Sequence, residues 1–276
     1  MNNIPKKKAS ALLNSELAHV QAILQELYPN HQVSSIKKLE KGLSNHNFYF
    51  ELDGTKRIIK FFADSVPHEA LQAQKQLAEQ GRAQSVLHID AQAKIAVLEY
   101  LTASSYDVEV SETLVKTLVA IHHCNVLDKT KLELAYSLSE AAVFLNLDDL
   151  ADKLNQQLSQ WPNDTRYCHN DLVKDNVLQT CNGIYFIDFE YAQYNDLYFD
   201  LAALCCSFEL TKKQQKTLLD TYYVICKSPL PNYAEKKLEA YIGCYLILSI
   251  AWYQKKQLEE PCEPLERLLI KWLEEN

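Results

Sequence analysis

The chain has 276 residues, 47% of them hydrophobic and 23% charged, with a net charge of −8. Those proportions belong to a folded globular protein with a sizeable core and exclude disordered, collagen-like and low-complexity classes. Residues 1–99 carry 12 basic against 10 acidic side chains and residues 100–276 carry 16 against 26. A basic nucleic-acid footprint is therefore absent, and the acidic larger part reads as a solvated surface that would also suit a cationic ligand.

Taken in chain order, residues 15–27 place Leu17, Val20, Ile23, Leu24 and Leu27 at helical spacing, with Pro29-Asn30 ending the helix. The period then changes. Residues 33–39, 47–52 and 57–62 are short, β-branched or alternating segments separated by Lys41-Gly42 and Asp53-Gly54, which predicts an antiparallel meander. Pro67 opens a helix to about residue 80, and residues 86–89 and 94–100 predict two more strands. Beyond Leu101 helices are expected at 111–123, 137–144, 147–161, 199–208, 212–226, 233–257 and 264–273, interrupted by two short strands at 177–179 and 184–187. The expected plan is α+β: a small five-stranded part over residues 1–100 and a larger, mainly helical part over residues 101–276, with ligand bound in a cleft.

Lys6, Lys7 and Lys8 are not followed by the apolar stretch of a secretory signal. The longest apolar run, residues 241–253, is too short to span a bilayer as a helix. A cytoplasmic location without membrane insertion is the expectation. The eight cysteines form no CxxC pair and sit mostly in apolar segments, which suits buried thiols rather than zinc or disulfides.

The densest polar cluster in an apolar context is Cys168-His169-Asn170-Asp171-Leu172-Val173-Lys174-Asp175-Asn176-Val177-Leu178. A strand, an Asn182-Gly183 turn and a second strand ending in Ile187-Asp188-Phe189-Glu190 follow it. Two strands joined by a turn bring Asn176 and Asp188 together, and an amide oxygen with a carboxylate suits Mg²⁺. Asp171 is then placed to take the proton of a substrate hydroxyl or to aim that hydroxyl at a phosphate, and His169 to buttress the loop.

HxDxxxxN followed by a strand and Ile187-Asp188-Phe189-Glu190 resembles the aminoglycoside phosphotransferase and choline kinase superfamily, over roughly residues 36–273. The resemblance implies a protein-kinase-like bilobal fold, a phosphotransferase acting on an alcohol, and ATP with Mg²⁺ as cofactors. It assigns Asp171, His169 and Lys60 to catalysis, Asn176 and Asp188 to the metal, and Asp200 to bracing the catalytic loop. His122, in Leu118-Val119-Ala120-Ile121-His122, matches a family helix and reads as a core residue.

On the nucleotide side there is no GxGxxG; Gly42, Ser44 and Asn45 stand in the first hairpin, where backbone amides and hydroxyls can meet phosphates. Lys60 is a charge set in an apolar strand and needs an anionic partner, for which Glu69 on the next helix is the candidate. The resemblance assigns Lys60 to the α/β-phosphates, Glu69 to orienting it, and the backbone of Glu99 to Leu101 to adenine.

Asp188-Phe189-Glu190-Tyr191-Ala192 resembles the choline, ethanolamine and thiamine kinase branch, which implies a small cationic alcohol as substrate. Glu190, Trp252 and Tyr253 are the candidate substrate residues, because carboxylates and aromatic faces bind ammonium groups. Ser249 stands where choline kinases usually carry the first of two tryptophans. Thiamine and then aminoglycosides are the alternative acceptors; Phe-Glu after Asp188 and the lack of Ala-Pro-Glu speak against a protein kinase, and the presence of Lys60, Asp171, Asn176 and Asp188 against a non-catalytic scaffold.

Overall fold

The computed structural model describes residues 6–39, 45–105, 107–127 and 130–276, with side chains from residue 14 onward. The chain divides into two compact units, Met1–His68 with Gln84–Thr102, and Glu69–Ala83 with Ala103–Asn276.

The first unit holds α1 (Lys6–Leu27), β1 (Val33–Lys38), β2 (His46–Leu52), β3 (Thr55–Phe61), β4 (Val86–Asp90) and β5 (Ile95–Glu99). The strands form one antiparallel sheet in the order β1-β2-β3-β5-β4. Strands alternate their side chains between faces, so Phe48, Phe50, Ile59, Ile95 and Val97 share one core with Val20 and Leu24 of α1. The register sets Lys60 beside Asn47 on β2 and Ala96 on β5, on the face pointing away from that core. Asp53 (φ 49°) and Gly54 (φ 76°) make the tight turn between β2 and β3, a backbone that Gly and Asp adopt at low cost. Helix α1 starts earlier than residue 15, where the apolar spacing begins.

The second unit holds α2 (His68–Glu79), α3 (Glu112–His122), α4 (Leu134–Leu145), α5 (Asp148–Leu158), β6 (Thr165–Cys168), β7 (Val177–Thr180), β8 (Gly183–Phe186), β9 (Gln193–Asp196), α6 (Tyr198–Ser207), α7 (Lys212–Ile225), α8 (Ala234–Lys255) and α9 (Glu259–Glu275). Helix α2 buries Ala70, Ala73 and Leu77 in this unit's core, so Glu69–Ala83 groups with it rather than with the sheet that precedes it in sequence. Strands β6 and β9 pair antiparallel, as do β7 and β8. The pair β6–β9 is missing from the sequence-based expectation, because two four-residue segments 25 or more positions apart carry no local period. Helix α9 begins one turn and more before residue 264 and carries Pro264 inside it; the turn ahead of the proline is kept by burial of Cys262. All eight cysteines are free.

Helices α8 and α9 meet at Gly243, where a Cβ would lie 2.8 Å from Trp272 Cζ2. The indole is buried and donates Nε1–H to the Glu239 carbonyl at 3.0 Å, so the ring is held in place. Gly243→Ala gains about 1 kcal/mol of helix propensity against an overpacking cost of about 1–3 kcal/mol. A net loss is expected in urea denaturation; equal or higher stability would show that the Trp272 ring is free to shift.

Candidate active site

The loop from β6 to β7 is built around a buried carboxylate. Asp200, in the first turn of α6, is fully buried and accepts the backbone N–H of His169 and of Asn170, both at 2.8 Å, and faces His122 Nε2 at 3.1 Å. Burial pushes its carboxyl up, but the His122 hydrogen bond and charge and the His169 contacts outweigh that and hold it below the usual range. His122 Nδ1 lies 2.7 Å from the Tyr222 hydroxyl. His122, Cys168 and Asp200 lie near enough to one another to suggest a metal cluster, yet His122 and Asp200 are bonded to each other, and burial with two nearby carboxylates drives the Cys168 thiol far above its usual value. A protonated thiol is a poor metal ligand.

His169 Nε2 meets the Ile187 carbonyl at 2.9 Å, and its Nδ1 accepts the Asp171 N–H at 3.3 Å. That geometry puts the proton of a neutral imidazole on Nε2 and leaves the ring as a spacer under the loop. Asn176 closes a short 3-10 turn, Lys174–Asn176. Its amide donates to the Asp171 carbonyl and to Asp171 Oδ2, both at 2.8 Å. The Ile187 N–H donates to the Asn176 carbonyl at 3.0 Å, so the β7–β8 hairpin sets Asn176 and Asp188 at one end.

Asp188 (φ 64°) and Asn170 (φ 62°) both take the left-handed backbone conformation that Asn and Asp tolerate best among residues with a Cβ. Burial pushes the Asp171 carboxyl up; the nearby charges of Asp188 and Glu190 add to this, against the pull of His169 and the Asn176 hydrogen bond. Three carboxylates thus crowd one place. Asn176 uses its N–H donors on Asp171, leaving Oδ1 for a cation; with the Asp188 carboxylate this is an all-oxygen donor set that fits Mg²⁺, and a divalent cation would relieve the crowding.

Burial pushes the Tyr253 hydroxyl up, and the charges of Asp171 and Asp175 add to it. Trp252 lies edge-on to Tyr253, at 5.0 Å between centroids, with the Lys256 ammonium 4.9 Å from its ring. A cation of the chain itself thus occupies that indole. Burial pushes the Tyr245 hydroxyl up.

In the first unit, Lys60 is buried, with Nζ 5.4 Å from the Phe62 ring centroid. Asn45 Oδ1 accepts the Ala63 N–H at 3.2 Å, which ties the start of β2 to the end of β3. Both backbone groups of Glu99 are engaged: its N–H goes to the Ser85 carbonyl at 2.9 Å and its carbonyl accepts Gln84 Nε2 at 2.6 Å. Its side chain meets the Ser85 hydroxyl at 2.7 Å. Leu101 follows, half-buried, just past the end of β5. Gly42 and Ser44 lie outside the described residues. Glu69 is exposed, in the first turn of α2, and belongs to the second unit.

Sequence reasoning missed Lys237. It is 2% exposed, and its ammonium meets Asp196 Oδ2 at 2.6 Å, the Pro162 carbonyl at 2.7 Å and Asp164 Oδ2 at 2.8 Å. The rings of Tyr198, Tyr233 and Tyr241 stand 4.8, 5.7 and 5.9 Å from it. The one local signal was a lysine on an apolar helix face.

Oxygen-bearing side chains such as Asp171 and Asn176 on one loop, ahead of a hairpin that leads to Asp188, are the kind of groups a phosphotransferase uses. The chain belongs to the phosphotransferase enzyme family, whose family model matches residues 35–225. It is 30% identical over 131 residues to Protein LicA of Haemophilus influenzae, covering 44% of this chain and 48% of that protein. It is 35% identical over 136 residues to Probable choline kinase 3 of Arabidopsis thaliana, covering 48% and 37%. The matched stretch thus spans about half or less of these relatives. Among solved structures, choline kinase LicA from Streptococcus pneumoniae superimposes with a TM-score of 0.75 at 22% identity, covering 94% of this chain and 100% of that one. Among the described residues no helix is long and apolar enough to cross a membrane.

Proposed function

We propose that this chain is an ATP- and Mg²⁺-dependent kinase that phosphorylates the hydroxyl of a small cationic alcohol, choline or ethanolamine. The observation that carries the reading is the Asn176 Nδ2 bound to Asp171, which leaves Asn176 Oδ1 for a cation at the hairpin end that Asp188 follows. Asp171 takes the hydroxyl proton while the alcohol oxygen bonds to the γ-phosphorus and the β–γ bridging bond breaks, leaving ADP. Magnesium, when bound by Asn176 and Asp188, supplies charge neutralisation at the phosphate oxygens. Lys60 is the side chain for the α/β-phosphates.

Glu190 and Tyr253, which share Asp171's surroundings, support a cationic acceptor. So do the names of the relatives. Ser249 stands where the resemblance leads one to look for an indole, which favours ethanolamine over choline, because a quaternary ammonium relies on aromatic faces more than a primary one that can donate hydrogen bonds. ADP release measured with choline, ethanolamine, thiamine and an aminoglycoside, with and without Mg²⁺, tests the reading. Turnover is expected with choline or ethanolamine and only with the metal; turnover confined to the aminoglycoside would overturn the acceptor class.

A further inference from the structure

Asn170, between His169 and Asp171, has no part in the chemistry proposed above, yet its side chain is the most extensively tied in the loop. Its Nδ2 donates to the Tyr191 carbonyl at 3.0 Å and to the Gln193 carbonyl at 3.2 Å. Its Oδ1 accepts Asn195 Nδ2 at 2.8 Å. Its backbone N–H goes to Asp200. Both donors and the acceptor oxygen of the amide are thereby used on chain 21 to 25 residues away.

The far ends of these bonds matter. Tyr191 closes the 3-10 turn Phe189–Tyr191, which follows Asp188 and contains Glu190. Gln193 opens β9. Asn195, buried in β9, accepts the Asp196 N–H on its Oδ1 at 2.8 Å, and Asp196 is the residue that Lys237 grips. One amide therefore joins the Asp171 loop to the turn behind Asp188, and is itself anchored through Asn195 to the buried Lys237 ion cluster. A residue needed only for its backbone conformation could be glycine, which adopts φ 62° freely. The amide requires another explanation.

We propose that Asn170 is a positioning residue that fixes Asp171 relative to the Asp188–Glu190 turn, and that Asn195 holds Asn170 in place. The proposal rests on the kinase reading above. Asn170 acts through Asp171 and touches no reacting atom. A displacement near 1 Å of a group that must sit in line with the reacting oxygen costs rate far more than binding, so the effect falls on kcat.

Asn170→Gly retains the left-handed backbone and deletes the amide; Asn195→Ala removes only the bond to Oδ1. Steady-state kinetics and melting curves on the full chain, with Asp171→Asn alongside, test the idea. Expected for Asn170→Gly is a fall in kcat of about tenfold to a hundredfold with the KM for ATP unchanged and the protein fully folded at the assay temperature. Asn195→Ala should give a smaller fall of the same kind, and the double variant should be no slower than Asn170→Gly. Wild-type kcat in Asn170→Gly, with Asp171→Asn slowed at least about a hundredfold, overturns the proposal and leaves the kinase reading intact. So does a fall in kcat that merely follows the loss of folded protein. Undiminished turnover in Asp171→Asn overturns the kinase reading itself, and the role given to Asn170 with it.

Discussion

Asp171→Asn is expected to lower kcat by about a hundredfold to ten-thousandfold and at the same time to raise thermal stability at neutral pH. The amide preserves shape and still offers an oxygen to the Asn176 amide, but it cannot take a proton. The stability gain follows from the same crowding that suits the site to a cation. Burial and the charges of Asp188 and Glu190 raise the Asp171 carboxyl above its usual value, so the folded protein favours the protonated form. That contribution is fully present below the unfolded-state value and is lost as pH rises through the folded one. Above the unfolded-state value the wild type bears the cost of a carboxyl that ionises less readily in the fold than in the unfolded chain, a cost that the neutral amide of the variant does not incur; in acid, where Asp171 is protonated in both states, the difference should vanish. Melting curves at neutral and acid pH, beside ADP-release rates, check both halves. A variant that is slower but no more stable at neutral pH would mean that solvent already screens the three carboxylates.

Lys237→Met is expected to destabilise the second unit by about 3–5 kcal/mol, a large share of the roughly 5–15 kcal/mol typical of a folded domain. Removing the ammonium leaves Asp196, 5% exposed at its side chain, and Asp164, 23% exposed, facing each other without a counter-charge. Neither is free to turn away. Asp196 Oδ1 accepts the Tyr198 N–H at 3.1 Å and its Oδ2 the Asp164 N–H at 2.9 Å, which hold the start of α6 to the loop before β6. Met fills the methylene volume, so the loss isolates charge from packing. Adding Asp196→Asn should recover part of the stability, since the neutral amide needs no counter-ion. Denaturant unfolding measures both. A loss under about 1 kcal/mol would place this cluster among weak, solvated pairs.

Most of the principal helices and strands could be anticipated because each rests on a period within one segment, whereas the placing of residues 69–83 with the second unit could not. The apolar spacing of residues 17–27 marks α1, and the alternation through Phe48, Phe50 and Ile59 marks a sheet with one buried face. Strands β6 and β9 could not, being four residues long and polar in part. Glu99 shows a different limit. The resemblance assigned its backbone to adenine, and only the fold reveals that its N–H and carbonyl are engaged by Ser85 and Gln84. Trp252 likewise reads as a free aromatic wall until Lys256 is seen over its ring.

His169, Asp171 and Asn176 stand within eight residues, so a tight loop must bring their side chains together whatever the rest of the chain does. By itself, then, the sequence determined which groups meet here: oxygen-bearing side chains and an imidazole on a loop ahead of a hairpin. Only the tertiary structure decided what holds that loop in place. Asp200 lies 31 residues beyond His169, Asn195 25 beyond Asn170, and Lys237 41 beyond Asp196. Partners at such separations are chosen by where buried charges and amides can find one another once the helices pack, since a buried polar group without a partner is too costly to keep.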